Sequence, residues 1–273
     1  MTNAEREIAL RLAAHSGARV LRRAWSLAKR PVTIISRKVK RRLLGTITGV
    51  QTEDKVAALT FDDGPEPEFT PRLLEIFKRH QTLATFFMVG EAARKQPELV
   101  RQVAQAGHAI GNHTWDHQSL PLLSAPERRE QIRGWERATG SYGQRLLRPP
   151  YGHQNAASRL DALLLGYQVV TWNLVIKDWE DHTAEWMAER VIREIKPGSI
   201  VLFHDAIYRD WPEDGLPHYD RREMLMAVEM ILENLKGRYR FITVPELLRH
   251  GRPIRRYWHV EKSEDWKSLS YRW

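Results

Sequence analysis

Val56-Ala57-Ala58-Leu59-Thr60-Phe61-Asp62-Asp63-Gly64-Pro65 is the stretch on which the reading of this chain turns. Val56 to Leu59 is a short apolar run of β-capable residues closed by a Gly-Pro turn, the pattern of a buried strand. Successive side chains on a strand point opposite ways. Where the strand ends the chain curls, and Asp62 and Asp63 can then face one cleft. Two adjacent carboxylates repel unless a cation sits beside them. A metal ion would supply it; a solvated Asp-Asp-Gly turn would need none.

Outward from this strand, apolar runs alternate with amphipathic ones. The further strand candidates are 83–89, 109–112, 145–148, 168–172, 199–204 and 240–244. Between them lie helical patterns at 71–80, 91–106, 125–139, 156–165, 183–195 and 221–235. Thr70 ahead of Pro71 reads as an N-cap followed by an N1 proline. Seven strands alternating with helices predict a parallel α/β fold, a distorted barrel of seven or eight β/α units.

The chain has 273 residues, 42% of them apolar, enough for a sizeable core. It contains no cysteine, which excludes disulfides, thiolate metal sites and a cysteine nucleophile. Its formal charge of +9 is concentrated at one end. Residues 1–50 hold 12 Lys and Arg against Glu5 and Glu7, a net of +10, so residues 51–273 sum to −1. That leaves the body of the chain without the basic surplus that nucleic-acid binding requires. The division expected is a basic leader at 1–50, a barrel at 51–251 and an aromatic tail at 252–273, with Trp258, Trp266 and Trp273.

The leader shows no secretory pattern, because arginines and lysines interrupt every apolar run, and no stretch is long enough to span a membrane. Leu10, Ala13, Ala14, Ala18, Leu21, Trp25 and Ala28 fall near helical spacing up to Pro31. Such a segment suits peripheral contact with an anionic membrane. A solvated leader without a partner and an organelle presequence share the same composition. The expected location is cytoplasmic, with possible attachment to the inner membrane face.

In a β/α barrel the functional site forms at the carboxyl ends of the strands. The unusual polar residues of this chain gather there: Asp62-Asp63, His113 to His117, Arg148 to Gly152, Asp178-Trp179 and His204-Asp205. His113 and His117 stand four apart, so one helical turn would aim both imidazoles the same way. With Asp63 they make a His-His-Asp set with an open coordination position, as a catalytic metal needs.

Thr60 to Pro65, His113 to His117, Arg148 to Gly152, Asp178-Trp179 and Leu202-Phe203-His204 resemble the five ordered motifs of the polysaccharide deacetylase (NodB-homology) family. The resemblance runs from about Lys55 to Leu248. It implies that Asp63, His113 and His117 hold a divalent metal, zinc first, with cobalt or nickel as alternatives. It implies that Asp62 is the general base, paired with Arg148. His204 becomes the general acid, supported by Asp178, and the Tyr151 backbone N–H helps stabilise the oxyanion. Trp179 and Leu202 wall the acetyl pocket. The substrate implied is an N-acetylated glycan: a chito-oligosaccharide, a peptidoglycan-like polymer or a glycolipid. Hydrolysis of a cyclic amide or imide on the same fold, and glycan binding without catalysis, are the alternatives. The chain departs from the family at Val175, where an aspartate is common. His108 and Asp205 are assigned no role.

Overall fold

A computed structural model describes residues 45–208 and 220–256. The basic leader up to Leu44 and the three tail tryptophans lie outside the described residues. Strand β1 (Thr46–Gln51) is followed by β2 (Val56–Asp62), then α1 (Phe69–His80) and β3 (Thr85–Met88). Helices α2 (Gly90–Lys95) and α3 (Pro97–Gln105) lead to β4 (Ala109–Asn112). Next come α4 (Ala125–Thr139), β5 (Gly143–Leu147), α5 (Ala156–Leu164), β6 (Gln168–Val169) and β7 (Leu174–Val175). Helix α6 (Ala184–Glu194), β8 (Ile200–His204), α7 (Arg222–Leu235), β9 (Arg240–Phe241), α8 (Val244–Leu247) and β10 (Arg252–Arg256) complete the order.

The main sheet is parallel, in the order β6-β5-β4-β3-β2-β8-β7, with β9 also pairing β2. It curls into a distorted barrel whose end strands β6 and β7 do not pair with each other. Beside that gap runs β1, bridged at Ile47 to Val170 and bonded through the Val50 N–H to the Gly198 carbonyl at 2.9 Å. Gly198 has φ +78°, and a Cβ there would meet the Val50 oxygen at 1.8 Å, so the approach requires glycine.

All seven residues of β2 are buried, and the period of two divides them between two cores. Ala57, Leu59 and Phe61 face the helices, where Phe61 packs on Phe86, Phe203 and Phe77 at centroid distances of 5.3, 5.9 and 5.7 Å. Val56 and Ala58 face the barrel interior with Phe87, Leu146 and Ile200. Asp62 therefore also points inward. The register sets Asp62 directly beside His204 on β8.

The boundaries differ from the sequence reading in several places. The segment Thr46–Gln51, all but its last residue inside the range read as leader, pairs antiparallel with Arg252–Arg256, inside the range read as tail. Helix α1 begins at Phe69, so Thr70 is not its N-cap. The Glu66 carboxylate accepts the N–H groups of Glu68 and Phe69 at 2.7 Å and starts the helix earlier. The pattern at 91–106 is two helices, because Pro97 cannot continue the first and begins the second. Finally, the run at 168–172 leaves the sheet after Val169, and a short strand at Leu174–Val175 pairs β8 instead.

Candidate metal centre and active site

The carboxyl ends of β2, β4, β5 and β8 surround a cavity of about 290 Å³. Asp62, Asp63, His113, His117, Tyr151, Trp179, Leu202 and His204 all line it, as do His153, Trp172, Ile207 and Tyr208. The first eight were expected from sequence; the last four were given no role there.

The segment from His113 to His117 is not the helical turn expected from the spacing. Thr114 and His117 have φ of 68° and 62°, which a right-handed turn does not allow. The loop is fixed from outside instead. The N–H groups of Gly90 and Glu91 bind the carbonyls of Thr114 and Trp115 at 2.9 and 2.8 Å. Gln131 Oε1 accepts the N–H groups of Trp115 and Asp116 at 3.0 and 3.2 Å. Asp63 and Tyr151 also have positive φ, 79° and 58°, so strained backbone gathers at this one site.

Both imidazoles turn Nε2 toward Asp63 Oδ1, each at 3.3 Å. Their other nitrogens are occupied: His113 Nδ1 lies 2.8 Å from the Arg148 carbonyl and His117 Nδ1 3.2 Å from the Tyr151 hydroxyl. The Arg148 carbonyl can only accept, so His113 carries its proton on Nδ1 and leaves Nε2 free, as a metal-binding histidine requires; the Tyr151 hydroxyl can accept from His117 Nδ1 in the same way. Asp63 Oδ1 is buried and has no hydrogen-bond partner. Burial pushes the Asp63 carboxyl up, but His117, His113 and His204 outweigh it and hold it well below the usual carboxylate range. Burial lowers His117 to about 4, so its ring is neutral at pH 7. An ionised carboxylate with an orphaned oxygen, facing two imidazole nitrogens, fits a divalent metal with mixed N/O ligands.

Asp62 stands beside this set. Arg148, fully buried, gives one Nη1 contact of 2.6 Å to Asp62 Oδ1 and another of 2.8 Å to the Thr60 hydroxyl. Its Nη2 binds the Thr171 carbonyl at 3.0 Å, and its guanidinium carbon lies 4.0 Å from the centroid of the Phe87 ring. Across the cavity, His204 Nδ1 meets Asp178 Oδ1 at 2.9 Å, while Asp178 Oδ2 accepts the His204 N–H at 2.8 Å. Burial alone would lower the His204 imidazole. Asp178, with Asp63 and Asp62 beyond it, overrides that and raises it to about 9. Trp179 stands edge-on to the His204 ring at 5.2 Å.

Two residues, Arg221 and Asp205, support this arrangement without a distinctive sequence signal. Arg221, buried, donates to the Asp178 carbonyl at 2.8 Å and lies 3.5 Å from its Oδ2. Asp205 accepts from the Thr70 hydroxyl and presses on Gly64, where a Cβ would meet its Oδ2 at 2.2 Å. His108 accepts the Ala84 N–H at 3.0 Å with burial lowering it to about 4, so it is a neutral core histidine. Val175, in place of the aspartate common in the family, sits on β7 opposite Leu202, and the Asp178 contacts three residues on are intact.

Paired carboxylates, two metal-ready imidazoles and a protonated histidine around one pocket define a metal-assisted hydrolase. The sequence profile of the polysaccharide deacetylase family matches residues 49–170. A peptidoglycan-N-acetylglucosamine deacetylase of Bacillus cereus is 36% identical over 206 residues, covering 74% of this chain and 92% of that protein. A chitooligosaccharide deacetylase of Azorhizobium caulinodans is 33% identical over 204 residues, covering 72% and 95%. Among solved structures, the Bc1960 peptidoglycan N-acetylglucosamine deacetylase superposes with a TM-score of 0.66 at 31% identity, over 76% of this chain and 94% of that one. A CE4 family pseudoenzyme from Bacillus anthracis superposes with a TM-score of 0.65 at 26% identity, over 79% and 73%. This chain belongs to the polysaccharide deacetylase family.

Proposed function

We propose that this protein removes the N-acetyl group from an amino sugar within a glycan, a chito-oligosaccharide, a peptidoglycan-like polymer or a glycolipid. The observation that carries the reading is the orphaned Asp63 oxygen between two histidines, with Asp62 and His204 on the same cavity. A divalent cation held by Asp63, His113 and His117, zinc before cobalt or nickel, would polarise the amide carbonyl and acidify the attacking water.

The remaining work falls to the chain's own groups. Asp62, oriented by Arg148, takes the proton from the water. The Tyr151 N–H, turned by its left-handed backbone, faces the developing oxyanion. His204 gives a proton to the departing nitrogen. Its Nδ1–H donates to Asp178, which leaves Nε2–H for the substrate. Trp179 and Leu202 flank the acetyl methyl group. Because a related fold exists as a pseudoenzyme, the fold alone does not decide activity. The seven polar residues this chemistry needs, Asp62, Asp63, His113, His117, Arg148, Asp178 and His204, are all present in the chain, which favours catalysis over glycan binding and over a cyclic-amide hydrolase.

We also propose that the basic segment ahead of β1, residues 1–44 of the range read as leader, meets anionic membrane surfaces, which would favour a lipid-linked or membrane-delivered glycan. Unchanged binding to anionic vesicles after its deletion would remove that idea. The catalytic reading is tested by acetate release from chitin oligomers, a peptidoglycan fragment and an N-acetylglucosaminyl lipid, with D62N beside the unaltered chain. Release from at least one substrate that D62N abolishes is the result expected. Release of acetate by D62N at the unaltered rate would sink it.

A further inference from the structure

The two oxygens of Asp63 are treated differently. Oδ1 faces the histidines without a partner, whereas Oδ2 accepts the backbone N–H of Tyr208 at 3.0 Å. Tyr208 lies four residues beyond His204 and lines the cavity, its ring 6.1 Å from that of His117. Its hydroxyl donates to Glu91 Oε2, an oxygen that also lies 3.6 Å from Lys95 Nζ. That hydroxyl, the leading influence, holds Glu91 below the usual carboxylate range, so Glu91 is a charged acceptor. Glu91 is the second residue of α2, the helix whose first N–H groups hold the loop of His113 and His117.

We propose that Tyr208, anchored by Glu91, is a positioning residue for the metal centre. The Tyr208 N–H fixes one oxygen of Asp63 and presents the other to the ion. The phenol–carboxylate contact ties the segment after β8 to the helix that holds the histidine loop. All three ligands are then braced from outside: His113 by the Arg148 carbonyl, His117 by the Tyr151 hydroxyl and Asp63 by the Tyr208 N–H. A carboxylate with one oxygen pinned gives up less rotational freedom when it binds a cation, and losing such a support typically weakens metal binding by about 10–100-fold. The proposal rests on Asp63, His113 and His117 being the metal ligands.

Zinc affinity tests it directly, measured on the full chain by competition with a chromophoric chelator and independently of turnover. Y208P, which removes the N–H, should bind zinc about 10–100-fold more weakly. Y208F and E91A break the same contact from either end. Each should weaken binding several-fold, and the double variant should be no weaker than either single one. If Y208P fails to fold, this cycle decides alone. Cobalt-loaded Y208F should also show an altered visible spectrum, which a defect confined to folding would not produce. Wild-type zinc affinity in Y208F and E91A, with only a raised KM for glycan, would overturn the proposal by making Tyr208 a substrate contact. An unaltered chain that bound no zinc would instead overturn the metal centre, and this inference with it.

Discussion

Arg148 is completely buried and stays charged because Asp62, Thr60 and Thr171 absorb its donors. Removing it leaves the Asp62 carboxylate buried without its cation, so R148A should cost about 3–5 kcal/mol in chemical denaturation. R148K, which keeps the charge but loses the fork, should recover part of that. His204 gives a second test at this scale. Its folded value of about 9 lies above the ordinary 6.5. The stability it contributes is therefore complete below pH 6.5 and disappears as pH rises through 9. In the metal-free protein that loss is of the order of 3 kcal/mol. For turnover, the protonated ring is the active form, so kcat should fall on the alkaline side. D178N removes the main influence raising His204. The alkaline limb should move to lower pH by more than one unit, and a profile identical to the unaltered enzyme's would count against His204 as the acid.

The turn after β2 is the element on which the site depends. Gly64 cannot carry a side chain, since Asp205 occupies the space a Cβ would need. G64A should displace Asp63 and cost about 1–3 kcal/mol, with weaker metal binding than a surface Gly→Ala change would give. Equal stability and equal zinc affinity in G64A would show that the turn has slack. Much of this element's role was legible in the sequence. A parallel strand buried on both faces is a continuous apolar run, and its carboxyl end announces itself by abrupt polarity at Asp62. The same logic located His204 after Ile200 to Phe203 and Arg148 after Leu146-Leu147. Helices with clear ends, such as Ala125–Thr139 behind its Ser124–Glu127 capping box, were also readable. What could not be read were conformations imposed from a distance. The left-handed backbone of Thr114 and His117 is set by Gly90, Glu91 and Gln131, which the spacing of two histidines does not reveal. The N–H of Tyr208 carries no side-chain signal, and Arg221 looks like any basic residue opening a helix.

On the scale of the whole molecule, the site joins four strand ends, and β1 lies where the sheet does not close. The pair β1–β10 escaped detection because each half lies in a polar setting, Thr46–Gln51 after an arginine cluster and Arg252–Arg256 on an exposed edge. Composition assigned both to the flanks. A bound ion would link β2 to the loop after β4, so metal should stabilise the entire barrel. At a free zinc concentration 100 times Kd the gain is about 2.7 kcal/mol, several degrees in Tm, and H117A should lose most of it. An unaltered Tm on adding zinc would contradict a single metal centre at the carboxyl end of the barrel.

The central claim is that one metal ion, worked by Asp62 and His204, hydrolyses an N-acetylated glycan. Its most direct test is acetate release by the chelated chain as zinc is titrated back, across the glycan panel. Release should be absent without metal, rise in proportion to zinc and level off at one equivalent per chain, while D62N takes up the same equivalent and releases nothing. Release undiminished in the metal-free chain, or none from any glycan once one equivalent is bound, would contradict the account.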